Sequence, residues 1–268
     1  MKPSHNPSFL RATVVAACLF SVTAAFAEDA KTAEPKATEP KPTDWKTSAG
    51  ANLSLAKGNS DTLLVGASIN TMKKWDQNEL AFGADATYGN NKDINTQVKT
   101  TTAQNYGGFG QYNRLVTDSL FFGAHADARQ DRIANVLYRV TLSPSIGYYL
   151  VKTEKISLSA EAGPGVVFES LKNSVTGTST SSDYITLRFA EKFSWKINDR
   201  ASILQDAEWL PRPDRFSDYV FNASVALDTK ITHSLSSRIT LQDFYRSEPA
   251  IGRKKNDVRL LAGLNYSF

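Results

Sequence analysis

Residues 258–268 read VRLLAGLNYSF, and this closing stretch decides the fold. Every second residue from Val258 to Phe268 is apolar, while Arg259, Gly263 and Asn265 fall on the other parity. This alternation predicts a β-strand with one face in an apolar medium. The strand also ends on an aromatic side chain. Such an ending is typical of the last strand of an outer-membrane β-barrel, where aromatic girdles lie at the membrane interfaces.

The same stretch resembles the C-terminal signal by which bacterial outer-membrane barrels are recognised for insertion. The residues that carry this resemblance are Leu264, Tyr266 and Phe268. The resemblance implies that the outer-membrane assembly machinery is a partner of the chain.

Residues 1–27 are predicted to be a cleaved signal peptide. Lys2 and Arg11 supply positive charge, an apolar run follows, and residues 25–27 form a small-x-small cleavage site. A buried N-terminal helix and lipidation at Cys18 are the alternatives. Since Cys18 is the sole cysteine, cleavage after Ala27 leaves an exported chain without a thiol.

Residues 28–44 form a Lys-, Glu- and Pro-rich segment without a large apolar side chain. This composition predicts a disordered, solvated periplasmic linker. The segment either reaches a periplasmic partner or is a plain tether.

The rest of the chain, residues 45–268, predicts an all-β domain of about twelve strands, within a range of 10–14. The pattern favours a transmembrane antiparallel up-and-down β-barrel, although alternation alone does not separate it from a soluble sandwich. The strands are predicted at residues 45–57, 62–73, 79–88, 102–114, 119–130, 136–150, 155–169, 183–197, 201–210, 218–231, 235–246 and 258–268.

The spacing of these strands predicts short turns on one rim and longer loops on the other, as bacterial outer-membrane barrels have. The longer loops are predicted at 89–101, 131–135, 170–182, 211–217 and 247–256. Both mature termini then fall on the short-turn rim, which is periplasmic. Trp45, Trp75 and Trp195 fall near that rim and Trp209 near the other, as expected for aromatic belts.

Composition excludes several classes of function. The formal charge of +4 falls to +2 without Lys2 and Arg11, and the basic residues are dispersed, so nucleic-acid binding is not expected. No phosphate-binding loop, Cys/His metal spacing or nucleophile elbow occurs, so no cofactor, metal site or enzymatic activity is expected. An unfavoured alternative is a lipid hydrolase built on His125, which shares a face with Asp127 and Arg129.

Charged residues occur in the middle of the polar strand faces, where they either line a narrow pore for ions and small solutes or pair into a plug. A barrel of twelve strands lies between the filled and the open sizes. The candidate lumen-lining residues are Asp85, Asp127, Arg129, Arg139, Glu161, Arg188 and Arg259, and Asp206, Glu208 and Arg238 share their pattern.

The predicted loop 247–256 carries Arg253, Lys254 and Lys255. On the outer rim these residues either contact lipopolysaccharide phosphates or form a solvated basic loop. Membrane lipid is the other partner expected of the barrel.

Residues 45–268 resemble the YdiY-like family, described as salt-induced outer-membrane proteins. The resemblance rests on GNSDT at 58–62, EAGPG at 161–165, Leu210-Pro211 and the closing YSF, in that order. It implies an outer-membrane barrel that acts in envelope permeability or in the response to salt. It implies no established biochemical activity.

Overall fold

A computed structural model describes residues 45–56, 60–93, 96–251 and 253–268. The predicted signal peptide and linker, residues 1–44, lie outside the described residues, as do residues 58–59 of the GNSDT motif. Within the described part of the chain, no helix is long and apolar enough to cross a membrane.

Twelve antiparallel strands form one closed barrel, in which each strand pairs with its neighbours in the chain and β1 pairs with β12. The predicted fold class and strand number are therefore confirmed. The strands are β1 (Lys46–Ala56), β2 (Ser60–Trp75), β3 (Asn78–Asp93), β4 (Lys99–Leu115), β5 (Leu120–Asp131), β6 (Val136–Lys152), β7 (Ile156–Lys172), β8 (Ser179–Lys196), β9 (Ala201–Arg212), β10 (Arg215–Lys230), β11 (Leu235–Arg246) and β12 (Asn256–Ser267).

The apolar faces of the strands point outward and the polar faces point into the barrel. Leu260 and Ile146 are 65% and 50% exposed on the outside, whereas Thr186 and Asn105 are 0% and 1% exposed. A soluble sheet buries its apolar face, so this arrangement is inverted relative to one. The closed sheet with an apolar exterior excludes the sandwich alternative and is the arrangement that lipid-facing barrels have.

One rim of the barrel holds both ends of the described domain, Trp45 and Phe268, and is called the terminal rim below. The opposite rim is called the distal rim. Trp75 is the last residue of β2 and Trp195 is the penultimate residue of β8, so both lie at the terminal rim. Trp209 lies near the distal end of β9.

The predicted contrast in loop length is weaker than expected, because the strands continue through most of the predicted loops at the distal rim. β3 and β4 still pair at Asn91–Thr100, inside the predicted loop 89–101. Most of 170–182 and 211–217 is also strand. Neighbouring backbones keep pairing there although the side chains are polar on both faces, so the alternation that reveals a strand in the sequence is lost.

The barrel closes at a short seam between β1 and β12. Their register runs from Ser48–Ser267 to Asn52–Gly263, next to the terminal rim. Beyond it, Thr47 and Phe268 exchange two backbone hydrogen bonds of 3.1 and 2.9 Å. A Cβ atom on Gly263 would lie 2.1 Å from the carbonyl oxygen of Ala51, so only glycine fits this approach.

Candidate functional site

One deeply buried charge in the barrel interior is the guanidinium of Arg188, which bridges two acids. Its Nη1 lies 2.7 Å from Oε1 of Glu161, and its Nε lies 2.6 Å from Oε1 of Glu208. The three residues lie on the inward faces of the neighbouring strands β7, β8 and β9. The Arg188 side chain is only 3% exposed. A buried charge of this kind is tolerated because it is paired and hydrogen-bonded on both sides.

This bridge extends further round the inner face of the barrel, to β4. Gln111 of β4 donates a 3.2 Å hydrogen bond to Oε2 of Glu161, although two strands separate β4 from β7. The side-chain amide oxygen of Gln111, Oε1, lies 2.8 Å from Nδ1 of His125. The other ring nitrogen of His125 lies 4.0 Å from Glu208. Polar side chains from β4, β5, β7, β8 and β9 therefore meet inside the barrel at this level, and we call the five residues the middle cluster.

Another cluster lies nearer the distal rim, around Glu169. This carboxylate receives a 3.0 Å hydrogen bond from Nε of Arg139 and bonds of 2.9 and 2.6 Å from Arg246. Arg139 is on the adjacent strand β6, whereas Arg246 is on β11, on the opposite side of the barrel. The Glu169 side chain is 3% exposed. We call these three residues the Glu169 cluster.

The second contact between opposite walls in the distal half joins Arg259 of β12 to Asp131 of β5, at 3.0 Å. The guanidinium groups of Arg259 and Arg129 both lie over the ring of Phe244, at 5.1 and 5.3 Å from its centroid. Arg129 also lies 4.0 Å from Asp85. Cation–π contacts and ion pairs thus hold cationic side chains across the interior of the distal half.

The terminal half contains a cavity of about 130 Å³ whose walls include Lys74, Glu79, Tyr149 and Lys192. Lys74 and Glu79 form a 2.7 Å ion pair in it. Gln111 and Glu161 also line this cavity, so it ends at the middle cluster. An open space lined partly by charged side chains thus lies between the terminal rim and the middle cluster.

The candidate residues predicted from the sequence fall into these groups. Glu161 and Arg188 belong to the middle cluster, and Arg139 belongs to the Glu169 cluster. The others, Asp85, Asp127, Arg129 and Arg259, lie on the inward faces of β3, β5 and β12. Asp206 and Arg238 form local pairs, with Ser224 at 2.8 Å and with Asp228 at 2.7 Å. Whether these residues conduct remains a prediction.

Sequence reasoning missed Glu169, Arg246, Gln111 and Asp131, although each makes a contact across the interior. The parity of the strands was a usable signal for Glu169, because it continues the inward series that contains Glu161. The sequence held no such signal for its contact with Arg246, since parity does not tell which strands face each other across a barrel.

The surroundings of His125 differ from those of a hydrolase site. Its described polar contacts are Gln111 and Glu208, and neither is a nucleophile. A catalytic histidine must contact the group from which it takes a proton. Within the described residues, no group of three His, Cys, Asp or Glu side chains is placed to hold a metal ion.

Polar contacts also cover the distal rim. Arg253, in the connection between β11 and β12, donates a 2.9 Å hydrogen bond to Asn135, which precedes β6. The backbone of Ser174 donates a 3.3 Å bond to Ile251 of the same connection. At the turn after β9, hydrogen bonds from Arg212 lower the pKa of the Asp214 carboxyl. Arg253 and Ile251 of this connection thus contact residues that precede β6 and follow β7.

Residues 48–268 match the model of a family described as a protein of unknown function, DUF481. The chain belongs to this family. None of the curated proteins matches the sequence. The DUF481 assignment covers the barrel and defines no reaction.

Two solved structures share the DUF481 barrel fold. The NanC porin is 10% identical, with a TM-score of 0.50 over 83% of this chain and 100% of that chain. An outer-membrane channel from Pseudomonas putida F1 is also 10% identical, with a TM-score of 0.50 over 88% and 100%. At this identity the likeness concerns the fold alone, which is that of outer-membrane porins and channels.

Proposed function

We propose that the protein is an integral outer-membrane barrel that passes ions and small solutes along a narrow polar route. The carrying observation is that polar and charged side chains from separate strands meet inside the barrel, beside a few buried apolar ones such as Phe121 and Val167. Gln111–Glu161, Arg246–Glu169 and Arg259–Asp131 are three such contacts. A lumen crossed by these groups excludes large solutes, while its polar atoms offer water and ions hydrogen bonds and charge.

The apolar exterior supports the membrane location, and the topology supports the orientation that we propose. With the terminal rim in the periplasm, an exported chain has both mature ends on the side from which it is inserted. Leu264, Tyr266 and Phe268 point outward from β12 and are half exposed or more, as an assembly signal requires. On the distal rim, Lys254 and Lys255 are exposed and available to lipopolysaccharide phosphates.

The response to salt enters the proposal through the YdiY-like resemblance. Ionic strength screens exposed charges more than buried ones. Among the ion pairs inside the barrel, those with partly exposed partners are therefore expected to respond first. The Arg129–Asp85 pair, whose side chains are 30% and 42% exposed, is the best placed. Conductance is expected to rise more steeply with salt than bulk conductivity does.

The test is planar-bilayer conductance of the purified mature protein over a range of voltages and salt concentrations. We expect small discrete steps. Arg139→Ala removes a cation from the Glu169 cluster and is expected to shift selectivity toward cations. Lys155→Ala, in the exposed connection between β6 and β7, is the matched control and is expected to leave selectivity unchanged. Absence of steps under all conditions would refute the pore.

A closed structural barrel without transport is the second candidate. The observation that favours it is the two-sided pairing of Arg188, which ties up a buried cation between two carboxylates at the middle cluster. It predicts a folded, heat-modifiable protein that never conducts.

The lipid hydrolase has less support. Ester hydrolysis by the protein that survives His125→Ala would exclude a hydrolase site built on His125.

A further inference from the structure

A shallow groove of about 580 Å³ lies on the outward face of the barrel, across β6 to β9. Its floor contains the small side chains of Ala160, Ala162 and Ala207. Tyr148 and Trp209 stand at its sides and are 50% and 37% exposed. Because small residues lie between bulky ones, the apolar exterior is locally hollow, and a chain-like apolar molecule fits there better than on a flat wall.

A carboxylate lies in this groove, on the face that otherwise meets lipid. Glu191 of β8 points outward, between its cross-strand neighbours Ala160 and Ala207. Gln205 donates a 3.3 Å hydrogen bond to its Oε2. Within the described residues, Oε1 has no hydrogen-bond partner. A charge on a lipid-facing surface is costly, and ionisable groups in membranes usually have a functional partner.

The position of Glu191 along its strand suggests which part of the membrane it meets. Trp195, at the interface end of β8, lies four residues closer to the terminal rim on the same face. At about 3.3 Å per residue and a tilt near 40°, Glu191 lies roughly 10 Å inside that belt. With the terminal rim in the periplasm, Glu191 lies in the periplasmic leaflet, whose headgroups are on the side of Trp195.

We propose that the groove binds a phospholipid with a primary ammonium headgroup, such as phosphatidylethanolamine. One acyl chain lies on the alanine floor beside Trp209, and the ammonium group bends inward to donate hydrogen bonds to Glu191. Gln205 holds the carboxylate in place. The described lining residues of the groove include no Lys or Arg. The charge of the groove therefore complements the ammonium group of a lipid headgroup and not a bare phosphate. The inference rests on the proposed membrane location and is independent of conduction.

The choice of headgroup follows from hydrogen-bonding chemistry. A primary ammonium group has three N–H donors and forms charge-assisted hydrogen bonds with a carboxylate. A choline headgroup has the same charge but no N–H donor. The site is therefore expected to discriminate between two lipids that have the same charge and acyl chains.

The experiment is native mass spectrometry of the delipidated mature protein, offered equal amounts of phosphatidylethanolamine and phosphatidylcholine with identical chains. We expect about a tenfold preference for the ethanolamine lipid, the size of one charge-assisted hydrogen bond. Glu191→Gln is expected to abolish the preference. Asp243→Asn is the matched control, because Asp243 is an outward carboxylate of β11 beyond the groove, and it is expected to keep the preference.

A second variant tests the apolar part of the site. Ala207→Phe fills the floor and is expected to weaken retention of both lipids several-fold, while heat-modifiable migration and conductance remain normal. Equal retention of the two lipids by the unaltered protein, or a preference that survives Glu191→Gln, would overturn the proposal. A dimer that Glu191→Gln dissociates would also overturn it, because a second copy of the chain would then cover the groove.

Discussion

The wall formed by β7, β8 and β9 and the seam between β1 and β12 are built in opposite ways. In the wall, β7 and β8 pair along their whole length, from Ile156–Trp195 to Lys172–Ser179. Arg188 then ties all three strands together from inside. At the seam, the register stops at Asn52–Gly263, and no ion pair between described residues joins β1 to β12.

Side chains and backbone therefore have different roles in the wall and at the seam. The wall combines long backbone ladders with buried side-chain bridges, so its side chains are expected to determine the stability of the folded barrel. The seam depends on a few backbone pairs and on a close approach at Gly263, so changes there are expected to act on closure. Closure is required in a membrane, because an open sheet edge leaves backbone groups unpaired in lipid.

The largest effect is expected in the wall. Arg188→Ala leaves Glu161 and Glu208 buried without their shared partner, and it is expected to lower the free energy of unfolding by about 3–5 kcal/mol. Urea unfolding in micelles, followed by tryptophan fluorescence and by migration on gels, measures this change.

The control for this prediction is Arg215→Ala at the distal rim. Arg215 pairs with Asp218 and Glu248, but its side chain is 49% exposed, so its loss is expected to cost less than about 1 kcal/mol. Equal effects of the two substitutions would mean that the interior is as well hydrated as the rim. The contrast between a bridged wall and a thin seam would then lose its basis.

A smaller effect is expected at the seam from Gly263→Ala. The added Cβ would meet the carbonyl oxygen of Ala51 at 2.1 Å, so the two backbones must separate, at a cost of about 1–3 kcal/mol. Gly110→Ala is the control, because its Cβ would lie 3.5 Å from Phe82, an ordinary contact. We expect slower folding into liposomes for the first variant only. Normal folding of both would show that the seam tolerates a wider spacing.

The same contrast explains how much of the fold was predictable. The strand at 258–268 was readable because one face meets an apolar medium, and Leu260 is indeed exposed on the outside. The distal ends of β3 and β4, which pair at Asn91–Thr100, were not readable. There both faces are polar and only backbone pairing defines the strand.

The candidate site was predictable in its membership but not in its geometry. Parity on the strands identified Glu161 and Arg188 as inward residues, and they do pair. The contact between Arg246 and Glu169 depends on which strands lie opposite each other, which follows from strand number and stagger and not from any local pattern. The carboxylate of Glu191 stood out as an exception on its apolar face, yet the groove around it appears only in three dimensions.

Removing Phe268 is expected to change the stability of the folded barrel no more than Gly263→Ala does, although its effect on assembly is larger. Deletion removes the two backbone hydrogen bonds with Thr47, worth about 1 kcal/mol each, and also the terminal aromatic ring. Phe268→Ala keeps the backbone pair and removes only the ring. Folded yield in the outer membrane is expected to fall for both variants, and more for either than for deletion of residues 28–40. If deletion of Phe268 lowers the yield and Phe268→Ala does not, backbone pairing at the seam limits assembly, and the ring is not a recognition signal.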